Sequence, residues 1–178
     1  MNGDGSPYGG AVEKLIEDLI EQQQVDPARI YVTGPSMGGG GSWDIAARRP
    51  DLIAASIPLA GHPLSDNALQ ILADQKVPVW SHHGASDNTN GYDAANRAIE
   101  SLANKGGCAW QTTYYPSNNL GDDDPGDTDP SDATHNIWAR AYTNPDLWPW
   151  VFSIAQPTET QLVYPDEDGS NGFEGETL

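Results

Sequence analysis

Gly34-Pro35-Ser36-Met37-Gly38 is the segment of this sequence best suited to covalent chemistry. It fits G-x-S-x-G, in which a serine stands on a sharp turn between a strand and a helix. Glycines suit both flanks because a β-carbon at either would crowd such a turn. The serine hydroxyl then projects above the sheet, and the Met37 N–H at the start of the helix faces any oxyanion that forms. A serine hydroxyl is a weak nucleophile until a base removes its proton, a task that suits histidine because it titrates near neutrality. The candidates are His62, His82, His83 and His135.

In sheets of this kind the partners follow in the order Ser, Asp or Glu, His. Asp87 comes shortly after a candidate strand, and His135 is the one histidine beyond it. The expected constellation is therefore Ser36 as nucleophile, His135 as base and Asp87 as the acid that orients the imidazole. His62, His82 and His83 are expected in loops or in supporting positions. Asp93 suits the first turn of a helix, where a carboxylate is favourable, and the acids from Asp122 to Asp132 remain rivals to Asp87.

These side chains need a scaffold, and the hydrophobic pattern supplies one. Ala11, Val12, Leu15, Ile16, Leu19 and Ile20 form a one-sided stripe, which predicts a helix over 11–23. Ile30 to Val32 then reads as a short strand covered on both faces, and Trp43 to Arg49 as a helix after the glycine-rich turn. The alternation repeats, with strands predicted at 53–59, 77–81 and 109–115 and helices at 67–73 and 92–104. Two more helices are expected at 136–142 and 146–154. Helices between strands imply parallel pairing by right-handed crossovers. The fold class is thus α/β, a mostly parallel sheet of about four strands with flanking helices.

The chain of 178 residues carries 26 acidic against 8 basic residues, a net charge of −18. That balance argues against nucleic acid and against an anionic membrane surface as partners, since both require clustered positive charge. No run of apolar residues is long enough to span a bilayer. Met1 to Gly10 lacks the basic and apolar regions of a signal peptide, and the sequence fixes no cellular location. Cys108 is the sole cysteine, which excludes an intramolecular disulfide and a cysteine-based zinc site.

The charge is uneven, with a net −6 on residues 1–115 and the other −12 on the last 63. Residues 116–134 are read as an acidic surface loop holding Asp122, Asp123, Asp124, Asp127, Asp129 and Asp132. Their spacing matches no EF-hand loop, and no metal or cofactor is assigned. Residues 156–178 combine Pro, Gly, Ser and acids with little apolar content, and are expected to be a flexible acidic tail after a domain over 1–155.

The run Asp26-Pro27-Ala28-Arg29-Ile30-Tyr31-Val32-Thr33-Gly34-Pro35-Ser36-Met37-Gly38-Gly39-Gly40-Gly41-Ser42-Trp43 resembles the esterase branch of the α/β-hydrolases, which includes polyhydroxybutyrate-depolymerase-like enzymes and carboxylesterases. Pro58-Leu59-Ala60-Gly61, His83-Gly84-Ala85-Ser86-Asp87 and His135-Asn136-Ile137-Trp138 match in the same order. The resemblance implies Ser36, Asp87 and His135 in the roles given above. Two departures are Ala133-Thr134, where the family usually has Gly before the His, and the Asp-rich stretch upstream. The resemblance also implies front strands and a His-Gly loop with a second oxyanion N–H, neither of which this sequence contains, so the expected fold is a truncated α/β-hydrolase.

The expected function is hydrolysis of short-chain acyl esters by a serine carboxylesterase, with a small-molecule ester as substrate. Trp43, Trp80 and Trp138 are candidates for lining an acyl pocket, with places in the core or at its rim as the alternative. An open edge on the strand before Ser36 would invite association, so a homo-oligomer covering that edge is expected. The alternative is a catalytically weak hydrolase-like binding module, or a fragment of a larger hydrolase.

Overall fold

A computed structural model describes residues 9–22, 25–115 and 134–156. Helix α1 (Gly9–Gln22) leads through a 3-10 turn, Pro27–Arg29, into β1 (Tyr31–Pro35), followed by α2 (Met37–Arg48) and β2 (Ala55–Leu59). Then come α3 (Asp66–Asp74), β3 (Val79–Gly84), α4 (Tyr92–Asn104), β4 (Ala109–Tyr114), α5 (Trp138–Tyr142) and α6 (Leu147–Ser153). The strands form one sheet in the order β1-β2-β3-β4, with every pair parallel. In such a sheet all strands end at the same edge, which is where loops meet to build a site.

The sheet is covered on both faces. One core joins Trp43, Ile45 and Ala46 of α2 with Leu69 and Leu72 of α3, Ile99 and Leu102 of α4, and Val79 of β3. The other joins Ile57, Leu59 and Tyr114 with Ile137, Ala141, Leu147 and Val151 of the α5–α6 region. β2 is buried along its whole length, as a strand between two helical layers must be. No helix among the described residues is long and apolar enough to cross a membrane.

Several boundaries differ from the sequence expectation. β3 runs on to Gly84, because His82 and His83 are fully buried strand residues rather than loop residues. β1 extends through Gly34-Pro35, a tolerable end for proline since β1 is an outermost strand of the described sheet. Gln156, placed at the start of the expected tail, is docked: its side chain donates to Pro50 O at 2.7 Å and Ile53 O at 2.8 Å, and its N–H to Ala28 O at 2.8 Å. The rest of that tail, residues 157–178, and the acidic stretch 116–133 lie outside the described residues.

Candidate active site

The turn between β1 and α2 puts Ser36 in a conformation that few non-glycine residues adopt, with φ 56° and ψ −115°. Such strain persists only where surrounding structure holds it. Here Ser36 N–H donates to Leu59 O at 2.8 Å, and its own carbonyl accepts from Gly40 N–H at 3.1 Å. The glycines permit the close approaches around the turn, but of the motif's two glycines only Gly34 is among those required. At Gly34 a β-carbon would meet the Gly38 carbonyl carbon at 2.9 Å, and at Gly39 it would meet Leu59 O at 2.6 Å. At Gly61 it would collide with the Gly39 backbone. Gly38 itself has room, its nearest neighbour being Pro35 Cδ at 3.6 Å, so crowding does not apply at that flank.

Three segments separated in sequence converge on Ser36 Oγ. His135 Nε2 lies 2.7 Å from it, and His135 Nδ1 lies 3.0 Å from Asp87 Oδ2. The structure thus brings together the three residues singled out by chain order. Asp87, three residues beyond the end of β3, is 4% exposed, and its Oδ1 accepts the N–H groups of Thr89 at 2.8 Å and Asn90 at 3.1 Å. Burial alone would raise the carboxyl's pKa. The hydrogen bonds from His135, Asn90 and Thr89 outweigh it, with the nearby His135 charge, and hold Asp87 below the usual carboxylate value. Trp138 meets the His135 ring edge to face, with centroids 5.8 Å apart, and fixes its plane from the side. Met37 is the first residue of α2, and the first N–H groups of a helix have no partner inside it.

The other histidines divide. His82 is buried between Trp80 and Tyr114, with its Nδ1 2.9 Å from Tyr114 Oη and its Nε2 without a hydrogen-bond partner among the described residues. Burial pushes its pKa down to about 4. His83 Nε2 is 3.0 Å from the same Asp87 oxygen that His135 engages, but is not aligned to hydrogen bond to it. Its burial lowers its pKa against the opposing pull of Asp87. His62 is exposed and borders the cleft described next. Asp93 stands in the first turn of α4, as expected.

A cleft of about 550 Å³ opens beside Ser36 between the head of α2 and the loop after β2. Its walls include Met37, Gly40, Gly41 and Asp44 on one side and His62, Pro63 and Leu64 on the other, with Asn90 at the back. None of the three tryptophans proposed as pocket residues lines it. Trp43 is 1% exposed and belongs to the core under the sheet. Trp80 packs on the opposite face, its Nε1–H donating to Thr112 Oγ1 at 2.9 Å. Trp138 touches the histidine instead.

Sequence reasoning missed Asn90, which holds Asp87 through its N–H and donates from its side chain to Ala60 O at 2.6 Å. The available signal was Asp87-Asn88-Thr89-Asn90, since an aspartate heading such a stretch commonly accepts N–H groups two and three residues on. Among the described residues no group of three or more His, Cys, Asp or Glu is placed to hold a metal ion.

Comparison with known proteins places the chain among hydrolases. The sequence profile of the dienelactone hydrolase family matches residues 9–142. Cutinase 2 of Thermobifida cellulosilytica is 42% identical over 59 residues, 32% of this chain. Poly(3-hydroxyalkanoate) depolymerase C of Paucimonas lemoignei is 34% identical over 53 residues, 30% of this chain. The chain spans only 22% and 13% of these two relatives respectively. The crystal structure of a thermostable esterase superposes on 82% of this chain and 36% of its own, with a TM-score of 0.69 and 30% identity.

Proposed function

The chain belongs to the dienelactone hydrolase family of α/β-hydrolases, and on that premise we propose that it is a serine carboxylic-ester hydrolase acting on short acyl esters. The observation that carries the reading is the continuous relay from Ser36 Oγ through His135 to Asp87, at 2.7 and 3.0 Å. Ser36 attacks the ester carbonyl as His135 Nε2 takes its proton, while the Met37 N–H stabilises the oxyanion. His135 returns the proton to the departing alcohol, leaving an acyl-enzyme. A water activated by the same imidazole then releases the acid. Asp87 accepts from His135 Nδ1–H throughout, which presents the unprotonated Nε2 to the serine and stabilises the imidazolium. Every step is assigned to this chain's own side chains and backbone, with no cofactor.

The deciding experiment is hydrolysis of 4-nitrophenyl acetate by the purified protein and by Ser36→Ala. The expected result is turnover in the first and only background in the second. Equal rates in the two proteins would refute the mechanism. We also propose a homo-oligomer that covers β1: among the described residues this strand pairs only with β2, and its residues are half-buried or exposed apart from Gly34.

A further inference from the structure

The glycines at the head of α2 are of two kinds. Gly39 is required by packing, because a β-carbon there would strike Leu59 O. Gly41 is not, since a β-carbon would meet none of the described residues within 4 Å, and at Gly40 the nearest described atom would be His62 N at 3.8 Å. Neither has the positive φ that favours glycine. Glycine is the poorest helix former after proline, so these two weaken α2 where the fold has room for a side chain. Both line the cleft. Met37, Gly40, Gly41 and Asp44 fall at helical spacings of three, four and seven, on one face. The cleft therefore has a bare backbone floor leading from Ser36 toward Asp44.

The orientation of substrate follows from the proposed mechanism, on which this inference rests. The departing alcohol takes its proton from His135 and must lie on that side. His135 is not part of the cleft wall, whereas Ser36 and Met37 are, so the acyl arm points into the cleft. Asp44 stands eight residues beyond Ser36, about 12 Å along the helix axis at 1.5 Å per residue. It is half-buried and enters no hydrogen bond or ion pair among the described residues. A carboxylate accepts hydrogen bonds and repels a second carboxylate.

We propose that the cleft over Gly40 and Gly41 holds the acyl arm of the ester, and that Asp44 at its far end favours an arm ending in ammonium or hydroxyl over one ending in carboxylate. Three 4-nitrophenyl esters test this: octanoate, mono-suberate and 8-aminooctanoate, which share an eight-carbon arm and differ in terminal charge. At about pH 8 imidazoles in general are neutral, and the carboxylate is the local charge. The wild-type protein should have the lowest kcat/KM for the suberate and the highest for the aminooctanoate. Asp44→Asn should raise the suberate-to-octanoate ratio on the order of tenfold, the effect of one nearby charge at a partly solvated site, and lower the aminooctanoate-to-octanoate ratio. Glu100→Gln, which removes an exposed charge on α4, should move neither. Gly41→Leu should lower the octanoate-to-acetate ratio by filling the floor. Unchanged ratios in Asp44→Asn, or an unchanged octanoate-to-acetate ratio in Gly41→Leu, would overturn the proposal. Failure of the esterase reading is a different outcome, in which no ester is turned over in a Ser36-dependent way.

Discussion

Acidification should destabilise this protein well above the range in which carboxylates titrate, and His82 is the main reason. Its ring is wholly buried between Trp80 and Tyr114, and its Nε2 has no hydrogen-bond partner among the described residues. Burial holds its pKa at about 4, against about 6.5 in an unfolded chain. Between those values the unfolded chain binds a proton that the native state refuses, so stability rises with pH. The contribution is complete above about pH 6.5 and is lost as pH falls toward 4. At about 1.36 kcal/mol per pH unit, about 2 kcal/mol is gone by pH 5. His83, whose pKa burial also lowers, acts in the same direction. Asp87, held below the usual carboxylate value, loses its contribution only at lower pH.

His82→Phe isolates the effect, because it keeps an aromatic ring in the stack and removes the titration. The variant should lose about 1 kcal/mol at pH 7.5, the usual worth of the hydrogen bond to Tyr114 Oη. From pH 7.5 to pH 5, however, it should lose about 2 kcal/mol less than the wild type. Urea unfolding at both pH values, with the m-value checked for constancy, measures the difference. An equal loss in the two proteins would refute the reasoning, since it would mean that His82 takes up its proton without unfolding.

Asp87→Asn should reduce kcat by about 10⁴-fold, the scale expected when the orienting acid no longer selects the histidine tautomer, with the fold retained by circular dichroism. Gly39→Ala should lower the melting temperature sharply or abolish folding, because its β-carbon would stand 2.6 Å from Leu59 O. Gly41→Ala should instead stabilise the protein by up to about 1 kcal/mol, so thermal unfolding of the pair separates packing glycines from cleft glycines. Light scattering on a gel-filtration column should show an oligomer, and a strict monomer would remove the claim that a second copy covers β1.

The elements were legible because their periodicities are clean, as with the α1 stripe and the alternation of strand and helix. Chain order and spacing then singled out Ser36, Asp87 and His135 without any contact information. The errors have physical causes. His82 and His83 look like loop residues, yet His82 is accommodated by a Trp–His–Tyr stack that depends on β4 lying beside β3. From its type alone Trp43 is open to two readings, a pocket wall or a core aromatic. In the structure Trp43 is 1% exposed and packs with Ala46 and Ala47 into the core. Asn90 was not legible in full, since one of its partners, Ala60 O, is 30 residues away.

The parallel sheet explains why so short a described framework can hold this arrangement. Ser36 follows β1, the cleft wall of His62 to Leu64 follows β2, and Asp87 follows β3, so one sheet edge collects all three. Adjacent strands in register fix their relative heights: Pro35 pairs with Leu59, and Leu59 with His82. Backbone bonds then continue the register past the strand ends, with Ser36 N–H on Leu59 O and Ala60 N–H on His82 O, each at 2.8 Å. Ser36 is thus tied to β2, and Asp87 is tied to the same strand through Asn90 and Ala60 O. β2 is buried throughout and pairs with a strand on each side. His135 is held differently, by Trp138 and the packing of Ile137 in the second core. Ser36 and Asp87 are therefore fixed by the sheet, and His135 by the helical layer that covers it. Changes that loosen Ile137 or Trp138 should impair proton transfer before they disturb the strained serine turn.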